Sequence, residues 1–104
     1  MRRGSVRWVH IDKRRPGIVI SPEFRNVHAS DVIVIPCSTA RAKVRWHVPL
    51  NKGEGGLPHP SIAKCESVTT LPKDLVEAEE LGMVSPARLK QIEAALASAL
   101  GIED

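Results

Sequence analysis

The chain has 104 residues and a formal net charge of +3, and 42% of its residues are hydrophobic. This length supports one domain with a buried core, expected over residues 1–104, and excludes two domains. No stretch approaches the roughly 20 apolar residues of a membrane span. The first residues also lack the apolar segment of a signal peptide, so we expect a cytoplasmic protein that contacts no membrane.

The charge is distributed unevenly along the chain. Residues 1–52 contain eleven basic and three acidic residues, a net charge of +8, whereas residues 53–104 contain four basic and nine acidic residues, a net charge of −5. A basic half of this density attracts polyanions, although charge counting alone favours a merely solvated surface equally. The clustering of basic residues around Arg15 and at residues 41–45 favours binding of nucleic acid.

The first forty residues predict three β-strands. Residues 1–12 predict a strand with both faces at least partly covered, and a basic turn follows. Residues 18–20 are β-branched and form too short an apolar run for a buried helix, so they predict a second strand. Polar turn formers at residues 22–30 predict a surface loop. Residues 32–39 predict a third strand, in which Pro36 indicates an edge position or a bulge.

The middle of the chain is less regular. Residues 42–50 alternate between apolar and polar or basic side chains, which predicts a half-buried strand with a basic outer face. The Gly- and Pro-rich residues 51–60 predict a loop, and residues 61–71 return to strand character. Residues 76–83 are acidic, and their pattern does not decide between helix and strand.

The end of the chain predicts a helix. After a short turn or helical stub at residues 72–75, Ser85 is a suitable N-cap, Pro86 a suitable first helical residue and Gly101 a suitable terminator. Apolar residues recur at helical spacing and form one stripe: Leu89, Ile92, Ala95, Leu96, Ala99 and Leu100. Strands followed by one amphipathic helix indicate an α+β fold, most simply a small antiparallel β-barrel with the C-terminal helix packed against it. A chain this short is also expected to complete its core as a homodimer.

The ends of the second and third strands hold the candidate site. Arg15 stands at the start of the second strand, and Ser38 and Thr39 at the end of the third. If these strands pair antiparallel, the guanidinium and the hydroxyls fall at the same end of the sheet. They could together hold a phosphate. The alternative for Arg15 is a surface ion pair with Asp12 or Glu23, which contributes little to stability.

The remaining chemically active residues predict no further site. Cys37 and Cys65 are expected to be buried reduced thiols rather than a disulfide or half a metal site. His10 and Asp12 share one strand face, but two ligands do not make a metal site, so we expect neither metal nor cofactor. Four scattered histidines could include an acid–base pair, but surface or structural roles are favoured: His10, His28, His47 and His59.

Several segments together resemble the MazF/PemK family of toxin endoribonucleases, also termed mRNA interferases. The resemblance rests on RRGSVRWVHID, RRPGIVIS, VIVIPCST, GLPHPSIA, TTLPKDL and LGMVSPARLKQIEAALASALG, in that order. It implies an SH3-like β-barrel with added helices and a homodimer with a groove for single-stranded RNA. It further implies RNA cleavage without a metal ion, which leaves 2′,3′-cyclic phosphate and 5′-hydroxyl ends, and neutralisation by a cognate antitoxin.

The family's motif residues can be transferred to this chain. The arginine directly before proline falls on Arg15, and the threonine two places after the strand's proline falls on Ser38, so the resemblance implies catalytic roles for both. Thr39 could supply the hydroxyl instead of Ser38. Further RNA contacts are expected from the neighbouring polar and basic residues: Lys13, Arg14, Thr39, Arg41 and Lys43.

The chain departs from the family's pattern at two places. Only Lys13 and Arg14 separate Asp12 from Arg15, where many members have a longer loop that covers the RNA, so cleavage-sequence preference does not transfer. Pro60 stands where members often have an aspartate before the serine of the next strand. The main rival to an endoribonuclease is a non-catalytic module that binds nucleic acid or protein, for example a topoisomerase-inhibiting toxin, because one fold serves several functions.

Overall fold

The computed structural model describes residues 1–102, which form seven β-strands and two α-helices. The strands are β1 (Ser5–His10), β2 (Arg14–Val19), β3 (Asp31–Ser38), β4 (His47–Leu50), β5 (Ser61–Lys64), β6 (Thr69–Pro72) and β7 (Val76–Met83). The helices are α1 (Glu23–His28) and α2 (Pro86–Leu100), and 3₁₀ turns occur at Glu54–Gly56, Cys65–Ser67 and Lys73–Leu75. None of the described helices is long and apolar enough to cross a membrane.

The strands form one antiparallel sheet in the order β4-β5-β3-β2-β1-β7, and β6 pairs with the first half of β3. Within residues 1–102 no ladder joins β4 to β7, so the sheet has two free ends. The predicted α+β class with a C-terminal helix is therefore confirmed. The predicted barrel is realised only in part, because the curved sheet is open.

β3 is the central strand because it pairs with three others. Residues 31–34 pair with β6, Cys37 and Ser38 pair with β5, and residues 34–36 pair with β2. Pro36 falls in the gap between the β6 and β5 ladders, where its missing N–H interrupts neither of them. Of the two alternatives predicted from Pro36, the edge strand is therefore wrong, and the bulge stays a prediction.

Apolar side chains from the sheet form two clusters on opposite faces. One cluster lies under α2 and includes Val6, Ile18, Ile35, Leu57 and Ile92. The other lies on the opposite face and contains Val9, Val19, Val32, Val34, Leu71 and Val76. The alternation of neighbouring residues between the two clusters is the two-residue period of β-structure. This alternation confirms the predicted core strands. Because both faces of these strands are covered, their sequences are continuous apolar runs rather than alternating apolar and polar residues.

Residues 22–30 were predicted to be a loop, but they contain α1. The buried Asn26 stabilises this short helix, because its Nδ2 donates to the carbonyl oxygens of Ser21 (2.9 Å) and Met1 (3.2 Å). The hydroxyl of Ser21 donates to Asn26 Oδ1 and accepts from the N–H of Ile33 at 3.0 Å. Ser21, Met1 and Ile33 all lie outside residues 22–30, so the composition of this segment alone suggests a loop.

The two strands predicted for the middle of the chain are shorter than expected. In residues 42–50, only His47–Leu50 is a strand, because His47 closes a local turn: its N–H donates to Val44 O and its Nδ1 accepts from Lys43 N–H. Residues 61–71 are divided into β5 and β6 by the 3₁₀ turn at Cys65–Ser67. The division allows the chain to pair first with the end of β3 and then with its beginning.

The predicted terminal helix is confirmed with its boundaries. The Ser85 hydroxyl accepts from the N–H of Arg88 at 3.1 Å, Pro86 begins the helix, and Gly101 adopts a left-handed conformation (φ 72°) at its end. Ile92 and Ala95 of the apolar stripe are buried, whereas Leu100 is largely exposed. The ambiguous residues 76–83 form β7, and 72–75 forms the predicted turn, in part as a 3₁₀ helix.

Candidate active site

The antiparallel pairing of β2 and β3 brings the predicted site residues together. Gly17 pairs with Pro36 at the end of this ladder, and Arg15 and Ser38 each lie two residues beyond that pair, at the same end of the two strands. A cavity of about 190 Å³ opens at this end of the sheet. Its walls are Trp8, Lys13, Arg14, Arg15, Pro16, Cys37, Ser38, Thr39, Pro58, His59 and Ser61.

Arg15 is held at the cavity wall by one ion pair. Its side chain is only 18% exposed, and Nη2 donates to Asp12 Oδ1 at 2.5 Å. The Asp12 side chain is 71% exposed. Its pKa is lowered, first by a hydrogen bond from its own backbone N–H and then by Arg15. Nε of Arg15 is buried and has no hydrogen-bond partner among the described residues.

Ser38 presents a hydroxyl that is oriented by the backbone. Its Oγ accepts from the N–H of Ala40 at 3.2 Å, which leaves the hydroxyl hydrogen available for another acceptor. The side chain is half-buried at the end of β3. Arg15 and Ser38 can therefore both donate to an anion in the cavity.

A stacked arginine forms another part of the wall. The Arg14 guanidinium carbon lies 4.3 Å from the ring centroid of Trp8, a distance suitable for a cation–π contact. Nε and Nη2 of Arg14 donate to the two carboxylate oxygens of Glu77 at 2.7 and 2.9 Å, and His10 Nε2 lies 2.8 Å from Glu77 Oε2. Hydrogen bonds from Arg14 and then His10 lower the pKa of Glu77 to about 2.

The predicted RNA-binding residues fall into two groups. Lys13, Arg14 and Thr39 line the cavity beside Arg15 and Ser38. Arg41 and Lys43 are exposed in the segment between β3 and β4 and are not part of the cavity wall. The structure brings the first group together and leaves the second outside.

Trp8 and Ser61 of the wall were not predicted as site residues, and His59 was considered only as one of four histidines for which a surface or structural role was favoured. Trp8 comes from β1, and His59 and Ser61 come from the loop before β5 and from its first residue. Ser61 Oγ donates to the carbonyl oxygen of His59 at 2.9 Å. Trp8 is placed by the pairing of β1 with β2, whereas His59 and Ser61 are placed by the pairing of β5 with the end of β3, in which Ser38 is opposite Ile62. No local pattern encodes that pairing.

The prediction that Cys37 and Cys65 are buried reduced thiols is confirmed. Both are buried and unbridged, and burial raises the pKa of Cys37 to about 12 and that of Cys65 to about 11. Such thiols stay protonated at neutral pH and are poor nucleophiles and poor metal ligands. In the described part of the chain, no three His, Cys, Asp or Glu side chains are grouped so that they could hold a metal ion.

The fold and the cavity define a small α+β protein with a cavity lined by basic and hydroxyl side chains at one end of an antiparallel sheet. The family model described as "PemK-like, MazF-like toxin of type II toxin-antitoxin system" matches residues 2–100. The chain belongs to this family. The resemblance predicted from the sequence is thereby confirmed.

Two relatives and one solved structure show how similar the chain is to known members. It is 31% identical to the endoribonuclease MazF1 of Mycobacterium bovis over 88 residues, covering 85% of this chain and 80% of the relative. It is also 31% identical to the endoribonuclease MazF3 of Mycobacterium tuberculosis over 99 residues, covering 92% and 90%. An endoribonuclease from a mycobacterial species, solved in complex with its cognate antitoxin, superposes with a TM-score of 0.87 at 28% identity and covers 100% and 98% of the two chains.

Proposed function

We propose that this protein is the toxin of a type II toxin–antitoxin module and an endoribonuclease that cleaves single-stranded RNA in a sequence-dependent manner in the cytoplasm. The observation that supports it most is the cavity in which Arg15 and Ser38 lie together, with Lys13 and Arg14 beside them. Cationic and hydroxyl donors around a space of this size suit a phosphodiester. The relatives named as endoribonucleases support the same reaction class.

Arg15 is proposed to bind the scissile phosphate. Its guanidinium is held near the cavity by Asp12, and its buried Nε lacks a partner in the described residues. Because the carboxylate of Asp12 is largely exposed, a phosphate oxygen can replace it at modest free-energy cost. The fork of the guanidinium then offers two hydrogen bonds to the phosphate.

The proposed reaction is an internal transesterification without a metal ion. The 2′-oxygen of the ribose attacks the neighbouring phosphorus, the bond from phosphorus to the 5′-oxygen breaks, and a 2′,3′-cyclic phosphate and a 5′-hydroxyl form. Negative charge grows on the non-bridging oxygens, where Arg15 and the Ser38 hydroxyl donate hydrogen bonds. A water held by Arg15 protonates the departing oxygen.

The proposed partners follow from the charge of the site. Lys13, Arg14 and Arg15 form a basic wall that suits an acidic segment of an antitoxin as well as RNA, so that the antitoxin competes for the phosphate site. A homodimer is proposed from the family resemblance, with a groove along the interface that extends the binding surface beyond one cavity.

The experiment that tests this function is cleavage of a long RNA by the purified protein in excess EDTA, with both product ends mapped. We expect discrete cuts, 2′,3′-cyclic phosphate ends and 5′-hydroxyl ends. A matched RNA with a 2′-deoxyribose at one mapped site should resist cleavage only there. Uncut RNA that is nevertheless bound by the folded protein would favour the non-catalytic module, and cleavage that EDTA abolishes would contradict the metal-independent mechanism.

A further inference from the structure

The proposed reaction requires a base for the 2′-proton, and the titratable groups of the cavity wall can be compared for that role. They are Lys13, Arg14, Arg15, Cys37 and His59. Lysine and arginine keep their protons well above neutral pH and are poor bases there. Burial raises the pKa of the Cys37 thiol to about 12, so this group is also protonated.

No carboxylate of the described residues lines this cavity, and the two carboxylates bonded to arginines of its wall are engaged by those arginines. Asp12 accepts from Arg15, and Glu77 accepts two hydrogen bonds from Arg14. The pKa of Glu77 is about 2, so its carboxylate is a much weaker base than removal of a proton near neutral pH requires. Imidazole titrates between pH 5 and 8 and satisfies this requirement.

The four histidines differ in what their rings contact. His10 contacts Glu77 at 2.8 Å, and His47 contacts both Glu66 at 2.8 Å and the N–H of Lys43 at 3.2 Å. The ring of His28 packs against Phe24 on α1. His59 alone among them lines the cavity, and within residues 1–102 its ring has no hydrogen-bond or ion-pair partner.

The backbone holds His59 at the cavity mouth. It lies between Pro58 and Pro60, whose rings restrict the chain, and its carbonyl oxygen accepts from the Ser61 hydroxyl at 2.9 Å. Ser61 is the first residue of β5, the strand that pairs with the end of β3 at Ser38. His59 is therefore fixed to the same strand ends that carry the proposed phosphate site.

We propose that His59 is a catalytic residue of the RNA cleavage proposed above, and that its neutral imidazole removes the proton from the attacking 2′-hydroxyl. The inference rests on the proposed function. In this step a bond forms between the 2′-oxygen and phosphorus, and the 2′ O–H bond breaks as its proton passes to the imidazole. The bond to the 5′-oxygen breaks, and that oxygen takes a proton from the water held by Arg15. The imidazolium later releases its proton, which neutralises through solvent the hydroxide left from that water, so that no net proton is gained or lost.

The experiment compares wild type, His59→Gln and His28→Gln in single-turnover cleavage of a short RNA containing one mapped cut site, between pH 5 and 8. We expect the wild-type rate to rise with pH across the range in which imidazole loses its proton. His59→Gln should be slower by a factor of about 10²–10⁴ and should lose this rise. His28→Gln should match the wild type, because His28 lies on α1 outside the cavity.

A second RNA substrate distinguishes whether His59 acts as the base or as the acid of the reaction. When the 5′-oxygen is replaced by sulfur, the leaving group needs no proton, so His59→Gln should remain slow if the imidazole acts as the base. Recovery of the wild-type rate with this substrate would overturn the base assignment. Because His59 is exposed, melting temperatures should be nearly equal, and imidazole added to His59→Ala should restore part of the rate.

The outcomes distinguish this inference from the proposed function. If the wild type cleaves RNA and His59→Gln cleaves within about threefold with the same pH dependence, only the role of His59 is overturned. If the folded wild type cuts no RNA at any pH, the proposed function fails and this role fails with it.

Discussion

Arg15 and Arg88 are covered to a similar degree, with 18% and 24% of their side chains exposed, but their hydrogen bonds differ. Arg88 donates from Nε and Nη2 to both carboxylate oxygens of Glu54, at 2.9 and 2.7 Å, and from Nη1 to Gln91 at 2.8 Å. Arg15 donates to one exposed carboxylate, and its Nε is unpaired in the described residues. The bonded nitrogens of Arg88 indicate a role in the fold, whereas the unpaired Nε of Arg15, at the wall of the cavity, supports the phosphate contact proposed above.

The largest effect among these substitutions is expected when Arg15, the arginine of the cavity, is replaced. Arg15→Ala should reduce RNA cleavage by about 10²–10³-fold, because it removes donors from the charged transition state. Its melting temperature should change little, since the only ion-pair partner described for Arg15, Asp12, is itself largely exposed and such a pair adds little stability. Rates and thermal unfolding measured together provide the check, with Arg88→Ala as the matched control. Equal loss of cleavage in both variants would erase the distinction between the two arginines.

A smaller loss of RNA cleavage is expected at Ser38, whose hydroxyl lies in the same cavity wall as Arg15. Ser38→Ala removes a hydrogen bond to a charged phosphate, worth about 1.5–3 kcal/mol, so the rate should fall by roughly 10- to 150-fold. Ser38→Thr should retain activity. The same cleavage assay applied to Thr39→Val decides between neighbours: a greater loss at Thr39 than at Ser38 would transfer the role to Thr39.

For Arg88, the other arginine of this comparison, the main effect is expected on the free energy of unfolding. Arg88→Ala should lower the free energy of unfolding by about 1 kcal/mol, because it breaks a bidentate pair, and should leave cleavage unchanged. Urea unfolding at pH 7 measures the first effect and the RNA assay the second. A variant of wild-type stability that cleaves RNA slowly would contradict this assignment.

The stability that the pair of Arg88 and Glu54 contributes should depend on pH, because Glu54 is titratable. Hydrogen bonding from Arg88 lowers the pKa of Glu54, so the folded state holds its carboxylate ionised at pH values where the unfolded chain binds a proton. The resulting stability is fully present above the ordinary carboxylate pKa, about 4.3, and is lost as the pH falls through the lower folded value. Urea unfolding at pH 7 and pH 3 should therefore show a smaller difference for Glu54→Gln than for wild type. An unchanged difference would show that this pair does not contribute.

The smallest effect is expected at Arg14, which lies between the two kinds of arginine because it is bonded to Glu77 and also lines the cavity. Arg14→Ala should make the plot of log K against log salt for single-stranded RNA shallower by about 0.7, the change for one phosphate contact. Binding titrations of cleavage-resistant RNA from 50 to 200 mM salt provide the measurement. An unchanged slope would make Arg14, like Arg88, a structural residue. Arg41→Ala, altered outside the cavity, is a useful comparison.

Local sequence signals were sufficient for several elements. The terminal helix was predicted with both boundaries, because Ser85, Pro86 and Gly101 act on the few backbone groups next to them. The β-branched runs predicted β2 and β3, since buried strands need such side chains on both faces. The proximity of Arg15 and Ser38 followed from antiparallel pairing of these two neighbouring strands.

Contacts between segments far apart in sequence determined the elements and the site residues that local sequence signals did not predict. The helix α1 depends on Asn26 bonding to Met1 and Ser21, and the ambiguous residues 76–83 become β7 because β1 offers them an unpaired edge. His59 reached the cavity only through the pairing of β5 with the end of β3.

The sequence by itself determined the strand runs, the terminal helix, the family and the meeting of Arg15 with Ser38. Each of these depends on residues adjacent in the chain or on two consecutive strands. Only the tertiary structure decided that the sheet of the described residues stays open, that Glu77 binds the Arg14 guanidinium stacked on Trp8, and that His59 lines the same cavity as Arg15 and Ser38. These features depend on pairing between segments far apart in sequence, whose free energy is set by the packing of the whole sheet rather than by local propensity.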